Sequence, residues 1–305
     1  MMTGMCASNV HYSCPTCESP LLPLPDNPKS LRCQNNHITD IAKEGYVYLM
    51  GPKKKNAAKE VLSDARTRAE RAFFETGGFA AQADAVAEEV LRALELCPSV
   101  LDGEAPHVLN AGCGEGLFLR QLAKRSNRKL FLWGTDSNKL AVRYASKRQR
   151  DAMYAVAPPT KLPFPDGSFS VVFSAFAPSP WEEFCRVLKP GGCVIVARAG
   201  NRHLHQLRSE LIEASNVPGA EEPKQFSAGL AERYARVCTE ESYGEEMARQ
   251  LLAMTAWGEE EAKEALIERR FGGGRSSSDG PMLTATVDMI MSTHRVWLGT
   301  GGEPI

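Results

Sequence analysis

Short apolar stretches alternate with helix-length amphipathic stretches through the middle of the chain. The sequence "HVLNAGCGEGLF" (107–118) leads from a short apolar strand into three closely spaced glycines, and "LFLRQLAKRS" (117–126) continues as a helix. "KLFLWGTDSNKLAVRYASKR" (129–148) repeats this order, with a strand that ends at Asp136 and then a second helix. Alternating strands and helices of this kind predict an α/β fold with a doubly wound parallel sheet.

The alternation continues toward residue 200. "DAMYAVAPPTKLPFPDGSFSVVFSAFAP" (151–178) predicts a short strand, a proline-rich loop and a strongly apolar strand. "WEEFCRVLKPGGCVIVARAG" (181–200) predicts a helix, a Pro-Gly-Gly turn and a fifth strand. Nearer the C-terminus, "LTATVDMIMSTHRVWL" (283–298) alternates enough to predict a closing pair of strands. Trp257 and Trp297 are expected to be core residues rather than platforms for base stacking.

Composition and charge narrow the class of protein. The 305 residues are 43% hydrophobic and 24% charged with a net charge of −1, as in soluble globular proteins, which argues against nucleic-acid binding over the whole surface. No apolar run reaches the length of a membrane helix. The opening "MMTGMCASNVHYSC" lacks a basic segment followed by an apolar core, so no secretory signal and a reducing cytoplasm are expected.

One local concentration of positive charge stands out. Residues 53–71 contain seven lysines and arginines against three acidic residues. Such a run favours contact with a nucleic-acid backbone, and a solvated helix face is the alternative.

Two short pairs of metal-binding residues lie near the start of the chain. The sequences "SCPTCE" and "RCQNNH" supply Cys14, Cys17, Cys33 and His37. A Cys3His set at this spacing is typical of a closed, tetrahedral structural zinc site. Nine cysteines, an odd and scattered number, disfavour a disulfide framework. Buried or unrelated thiols are the alternative, and redox chemistry is disfavoured because no βαβ pattern surrounds the C-x-x-C pair.

The central motifs together resemble the class I S-adenosylmethionine-dependent methyltransferases. The series is "VLNAGCGEG", "GTDSN", "LPFPDGSF" and "RVLKPGGCVIVA". A dinucleotide-binding fold also uses a glycine-rich loop, but the turn before strand five is not typical of it. Two positions depart from the family: Asn110 stands where an acidic residue is usual, and Ser170 where an aspartate is usual.

This resemblance implies a bound S-adenosylmethionine and a set of contacts for it. The glycine loop would wrap the methionine end, the acidic residue after the second strand would hold the ribose hydroxyls, and the loop after the third strand would flank the adenine. The implied cofactor residues in these motifs are Asn110, Gly112, Gly114, Gly116, Leu117, Phe118, Asp136, Lys161 and Leu162.

The chain as a whole resembles the RlmA type of 23S rRNA (guanine-N1)-methyltransferases. The zinc pairs, "DIAKEGYVYL", "RAFFETGGF", "FSAFAP", "GNRHLHQL" and "LLAMTAW" carry this resemblance over most of the sequence. It implies methyl transfer to guanine N1 in a 23S rRNA hairpin, RNA gripped by the zinc module and the basic run, and a homodimer. It also implies cofactor contacts for Phe79, where the family usually ends its motif in Gly-His-Tyr, and for His203.

The expected organisation is a zinc-binding RNA-recognition module at 10–50, a basic helical linker at 51–96 and a methyltransferase domain at 97–305. Guanine N1 carries a proton that must leave, and Asp166 is a candidate base, with a plain turn residue as the alternative. Two other functions stay open: a small-molecule methyltransferase with zinc as a brace, and a zinc-anchored RNA-binding protein with a degenerate cofactor site.

Overall fold

The computed structural model describes residues 10–51, 57–97, 105–211, 231–255, 257–272 and 281–296, with only the backbone at 57–62. Trp297 and the lysines at 53–55 lie outside these residues. Within the described ranges, no helix combines the length and the apolar character needed to cross a bilayer.

A large mixed sheet forms the centre of the molecule. Its order is β11-β12-β10-β9-β6-β7-β8-β5, and the strands from β10 to β5 run parallel. β12 runs antiparallel to both β10 and β11. The strands are β5 (Tyr46–Tyr48), β6 (His107–Ala111), β7 (Phe131–Asp136), β8 (Met153–Val156), β9 (Phe169–Ala175), β10 (Leu188–Ala199), β11 (Arg233–Tyr243) and β12 (Leu283–Arg295).

Helices cover both faces of this sheet, which confirms the predicted doubly wound α/β fold. Apolar positions at helical spacing explain the buried faces; α2, for example, buries Val86, Val90 and Leu94 in one cluster with the sheet residue Val171. The helices are α1 (Ala57–Glu75), α2 (Ala80–Glu95), α3 (Leu117–Arg125), α4 (Lys139–Arg148), α5 (Trp181–Val187), α6 (His205–Leu211), α7 (Glu245–Met254) and α8 (Glu260–Phe271).

The C-terminal part of the sheet differs from the prediction. The stretch predicted as a closing pair of strands is one long strand, β12, because no glycine, proline or asparagine interrupts residues 283–295. Its partner at the edge is β11, whose side chains are almost all exposed or half-buried. An edge strand with polar residues on both faces carries little hydrophobic signal, so its sequence does not reveal it.

A small antiparallel sheet precedes the large one. It consists of β1 (Tyr12–Ser13), β2 (Pro20–Pro23), β3 (Ser30–Arg32) and β4 (Ile38–Asp40) in that order.

The small sheet packs closely against the large one. The ring of Tyr12 lies edge-on to that of Trp133, with centroids 5.3 Å apart, and Ser13 N donates a hydrogen bond of 2.9 Å to Pro163 O. Moreover, β5 belongs to the large sheet and α2 to its core. The structure therefore does not separate independent units at residues 50 and 96, and that division remains a prediction from the sequence.

Candidate cofactor cavity and metal centre

The four predicted metal ligands converge on one point. Their ligand atoms all lie within 4.8 Å of one another. His37 Nδ1 is 3.5 Å from Cys14 Sγ and 3.4 Å from Cys33 Sγ, and Cys17 Sγ is 3.6 Å from Cys33 Sγ. Zinc bonds to sulfur and nitrogen in a regular tetrahedron require edges of about 3.8 Å between sulfurs and about 3.5 Å between sulfur and nitrogen. The donor set therefore fits zinc in a closed structural site.

A cavity of about 340 Å³ opens at the carboxyl ends of β6, β7 and β9. The strand order reverses between β6 and β9: β7 and β8 follow on one side of β6, and β9 and β10 on the other. The cavity therefore lies at the topological switch point, where doubly wound sheets bind their ligands. The predicted cofactor residues that border this cavity are Phe79, Gly112, Gly114, Leu117, Phe118, Asp136 and His203.

The glycine loop has a backbone that favours glycine and leaves space for a ligand. Gly112, Gly114 and Gly116 have φ of 75°, 53° and 87°, in the left-handed region. A Cβ atom at Gly112 would lie 2.4 Å from the Cβ of Ala177, whereas a Cβ at Gly114 would meet no atom within 4 Å. Since Gly114 also borders the cavity, it forms a cradle that a side chain would fill.

Asp136 ends β7 beside this loop. Its Oδ2 accepts a hydrogen bond of 2.9 Å from Gly114 N, and its Oδ1 accepts one of 2.8 Å from Asn138 N. Burial raises the pKa of Asp136 above its usual range, against the effect of these hydrogen bonds. The carboxylate thus holds the glycine loop in place, at the position where ribose hydroxyls are expected.

Asn110 lies in β6 directly before the loop and is fully buried. Its Nδ2 donates to Phe173 O at 3.3 Å, and its Oδ1 has no hydrogen-bond partner in the described part of the chain. Asn110 does not border the cavity. An unpaired buried acceptor costs free energy, so this oxygen is suited to a donor from a water molecule below the loop.

Aromatic residues form another wall of the cavity. The ring centroids of Phe79, Phe176 and His203 lie 5.4–5.9 Å from one another. Phe79, Phe176 and Leu204 have φ of 58°, 54° and 50°, which residues other than glycine rarely adopt. Three such residues around one cavity indicate that the surrounding packing fixes its shape, as is common at functional sites.

His203 is held in one neutral form. Its Nδ1 accepts a hydrogen bond of 3.3 Å from Asp288 N, and burial lowers its pKa to about 4. The ring is therefore uncharged at neutral pH, with its proton on Nε2. The carboxylate of Asp288 accepts hydrogen bonds from Arg202 N and from the guanidinium of Arg236, which fixes the segment around His203.

Three predicted site residues lie elsewhere. Lys161, Leu162 and Asp166 border a second cavity of about 610 Å³ between the small sheet and the large one. The guanidinium of Arg186 donates to Leu162 O and to Asp166 Oδ1, which draws this proline-rich loop toward α5. The structure therefore does not bring these residues to the glycine loop, and the side chain of Asp166 is 81% exposed and ion-paired with Arg186 at 2.7 Å.

The structure adds residues that the sequence analysis did not select. Arg66, Glu70 and Phe74 of α1 and Leu251, Met254 and Trp257 around the end of α7 also border the first cavity. They are distant in sequence from the glycine loop, and no local motif marks them.

Two of these residues are informative. Burial raises the pKa of Glu70, and the ion pair with Arg66 at 3.0 Å opposes this shift. Trp257 is half-buried: it packs against the C-terminal core, as expected, but it also borders the cavity.

The basic run is partly neutralised by its own helix. Arg66 pairs with Glu70, and Arg71 pairs with Glu75 at 2.9 Å. Arg68 is exposed and forms no ion pair with any described residue. The side chain of Lys59 and all of residues 53–55 lie outside the description, so the run shows one exposed, unpaired cation here.

Comparisons with known proteins match both parts of the chain. Residues 108–192 match a family model described as "Methyltransferase domain", and residues 12–58 match the zinc-ribbon model described as "RlmA, N-terminal".

Three curated proteins are similar over most of their length. YxjB of Bacillus subtilis (strain 168), named as a 23S rRNA (guanine-N1)-methyltransferase, is 30% identical over 92% of this chain and 96% of its own. The 23S rRNA (guanine(748)-N1)-methyltransferase of Streptomyces fradiae is 30% identical over 74% of each chain. A protein of Micromonospora griseorubida, named as a 23S rRNA (guanine-N1)-methyltransferase, is 32% identical over 66% of this chain and 70% of its own.

Proposed function

Because the chain belongs to the RlmA-type family of 23S rRNA (guanine-N1)-methyltransferases, we propose that it methylates N1 of a guanine in a 23S rRNA hairpin. The predicted class I S-adenosylmethionine-dependent fold and its zinc ribbon are confirmed by the two family matches, and with them the predicted ligands, S-adenosylmethionine and zinc. One observation carries the proposal: a methyltransferase cavity and a zinc ribbon occur together in a chain that is similar to these enzymes over 92% of its length.

The residues around the cavity would position the reactants and keep water out. S-adenosylmethionine supplies a methyl group on a positively charged sulfur. The Gly114 cradle would leave room for the cofactor, and Asp136 would accept hydrogen bonds from its ribose hydroxyls. The rings of buried Phe79 and half-buried Phe176 form an apolar wall of the cavity. Such positioning can account for most of the rate enhancement when the methyl donor is already activated.

The balance of the reaction is simple. The bond from guanine N1 to the methyl carbon would form as the bond from that carbon to sulfur breaks, and the N1 proton would finally be released to bulk water outside the cavity. Asp166 is exposed and ion-paired outside the cavity, so we assign it no part in this step.

A surface on the zinc ribbon is suited to RNA. Leu22, Arg32 and Ile38 lie side by side on β2, β3 and β4, and all three are exposed. A cation between two apolar side chains suits a phosphate with splayed bases on either side. Arg68 on α1 adds a further exposed positive charge. We therefore assign RNA gripping to the ribbon and to α1.

The test is methyl transfer from labelled S-adenosylmethionine to unmodified 23S rRNA. Nucleoside mass spectrometry should detect 1-methylguanosine. Primer extension should stop at the modified position, since a methyl group on N1 blocks Watson–Crick pairing. Transfer to small molecules alone, or RNA binding without transfer by protein that binds the cofactor, would contradict the proposal.

Two expectations follow from this substrate. A ribosomal RNA substrate supports a cytoplasmic location, which we propose for this enzyme. The homodimer stays a prediction, which light scattering of the purified protein would test.

A further inference from the structure

Trp257 is placed where a substrate base would enter. It borders the same cavity as the glycine loop, Phe176 and His203. Phe79 and His203 are buried, with 6% and 8% of their surfaces exposed, and their rings pack against each other. These two rings are therefore already occupied by contacts within the protein. The half-buried indole of Trp257 follows α7, in a segment distant in sequence from the glycine loop, and borders the same cavity as that loop.

The backbone around Trp257 is anchored on both sides. Thr255 O accepts a hydrogen bond of 3.3 Å from the Nζ of Lys263, a side chain of α8 that is mostly buried, and Thr255 Oγ1 donates one of 2.8 Å to Leu252 O. On the other side, Gly258 has φ of 69° and packs against Leu211 of α6. The backbone on either side of the indole is thus held in place, which a binding platform requires.

A positive charge lies over the Trp257 ring. The guanidinium carbon of Arg208, on α6, is 5.9 Å from the centroid of the Trp257 ring, and Arg208 Nη2 donates to Asn201 O at 2.9 Å. Aromatic rings with a neighbouring cation are a common arrangement for unpaired nucleotides: the ring stacks on the base, and the cation binds the phosphate.

We propose that Trp257 is the stacking platform for the target guanine and that Arg208 binds the phosphate backbone beside that nucleotide. This inference rests on the proposed function and adds the residues that hold the base. A guanine in a hairpin must leave its stack before N1 can meet the methyl donor, and a new stacking surface offsets that cost. A base stacked on Trp257 would lie in the cavity that the glycine loop also borders.

The experiment compares variants of the full-length zinc-loaded protein on unmodified 23S rRNA. Trp257→Leu keeps an apolar side chain but removes the aromatic face, and Trp257→Phe keeps an aromatic face. Tyr234→Ala is the matched control, because Tyr234 is a 58% exposed aromatic on β11 that does not border the cavity. The measurements are KM and kcat for RNA and, by calorimetry, Kd for S-adenosylmethionine.

Trp257→Leu should raise KM for RNA about fivefold to a hundredfold, the range expected for loss of one base stack. Its Kd for S-adenosylmethionine should stay within twofold of the wild type. Trp257→Phe should retain most of the affinity, and Tyr234→Ala should match the wild type. Arg208→Gln should lower the slope of log affinity against log salt by about one, as expected for one lost phosphate contact.

Four results would overturn the inference. Equal KM values for RNA in the wild type and in Trp257→Leu would show that Trp257 is not a stacking platform. A matching loss of S-adenosylmethionine affinity would place Trp257 in the cofactor site instead. An unchanged salt slope in Arg208→Gln would exclude the phosphate contact. Absence of 1-methylguanosine with the wild type would overturn the proposed function itself, and this inference with it.

Discussion

Alanine at Gly112 and at Gly114 should separate folding from cofactor binding within one loop. Both residues have positive φ, so any side chain there costs about 1–2 kcal/mol of backbone strain. Only at Gly112 would the new Cβ collide with the protein, 2.4 Å from the Cβ of Ala177. At Gly114 the Cβ would meet no atom of the described residues within 4 Å and would enter the cradle beside the cavity.

The magnitudes follow from these two environments. Gly114→Ala should lower the free energy of unfolding by about 1–2 kcal/mol, the cost of strain alone. Gly112→Ala adds overpacking of about 1–3 kcal/mol, for a total of about 2–5 kcal/mol. Gly114→Ala should also raise Kd for S-adenosylmethionine by at least about tenfold, which corresponds to roughly 1.4 kcal/mol.

Urea unfolding followed by circular dichroism and calorimetric titration with S-adenosylmethionine would measure both effects. Gly77→Ala is the matched control: Gly77 has φ of 95°, its Cβ would meet no atom within 4 Å, and it does not border the cavity. This variant should lose stability like Gly114→Ala and bind the cofactor like the wild type. Wild-type cofactor affinity in Gly114→Ala would refute the assignment of the cradle to the cofactor.

Three further predictions concern the metal centre, pH and a buried ion pair. Cys33→Ser should abolish stoichiometric zinc binding in metal analysis and reduce RNA methylation at least about tenfold, with Kd for S-adenosylmethionine changed much less. An equal loss of RNA methylation and of S-adenosylmethionine affinity would contradict the RNA-gripping role. Burial lowers the pKa of His107 and of His203 to about 4, so the unfolded chain takes up protons at a higher pH than the folded chain. The free energy of unfolding should therefore decrease as pH falls from 6.5 toward 4. Urea midpoints that are constant over this range would rule out the buried neutral rings. Glu115→Gln should lower the free energy of unfolding by about 3–5 kcal/mol, because the fully buried carboxylate of Glu115 forms ion pairs with Arg120 and Arg148. A loss below about 1 kcal/mol in urea unfolding would show that water solvates these two cations well enough without the carboxylate.

Features encoded in short stretches of sequence could be predicted. The zinc ligands pair within tight turns, so the spacing of Cys14, Cys17, Cys33 and His37 was sufficient to predict their convergence. The glycine loop and Asp136 follow buried parallel strands, and the sheet topology alone brings the ends of those strands together.

Features that depend on distant parts of the chain could not be predicted from the sequence. Lys161, Leu162 and Asp166 belong to a loop whose course is set by Arg186 on a later helix. Glu70 and Trp257 reach the cavity only because α1 and the segment after α7 fold back over it. No sequence pattern within either segment predicts that it contacts the cavity, and an aromatic residue in an amphipathic stretch is usually part of the core.

The pairing of β5 with β8 lets the N-terminal segment protect an edge of the large sheet. β8 (Met153–Val156) is buried throughout, and β5 covers its outer side by parallel pairing at Tyr46, Val47 and Tyr48. Without residues 10–51, the hydrogen-bonding groups of an apolar strand would be exposed at the rim of the sheet, ready to pair with another chain. A shortened enzyme that begins at α1 should therefore aggregate rather than act as a smaller methyltransferase, and metal loss should promote the same association.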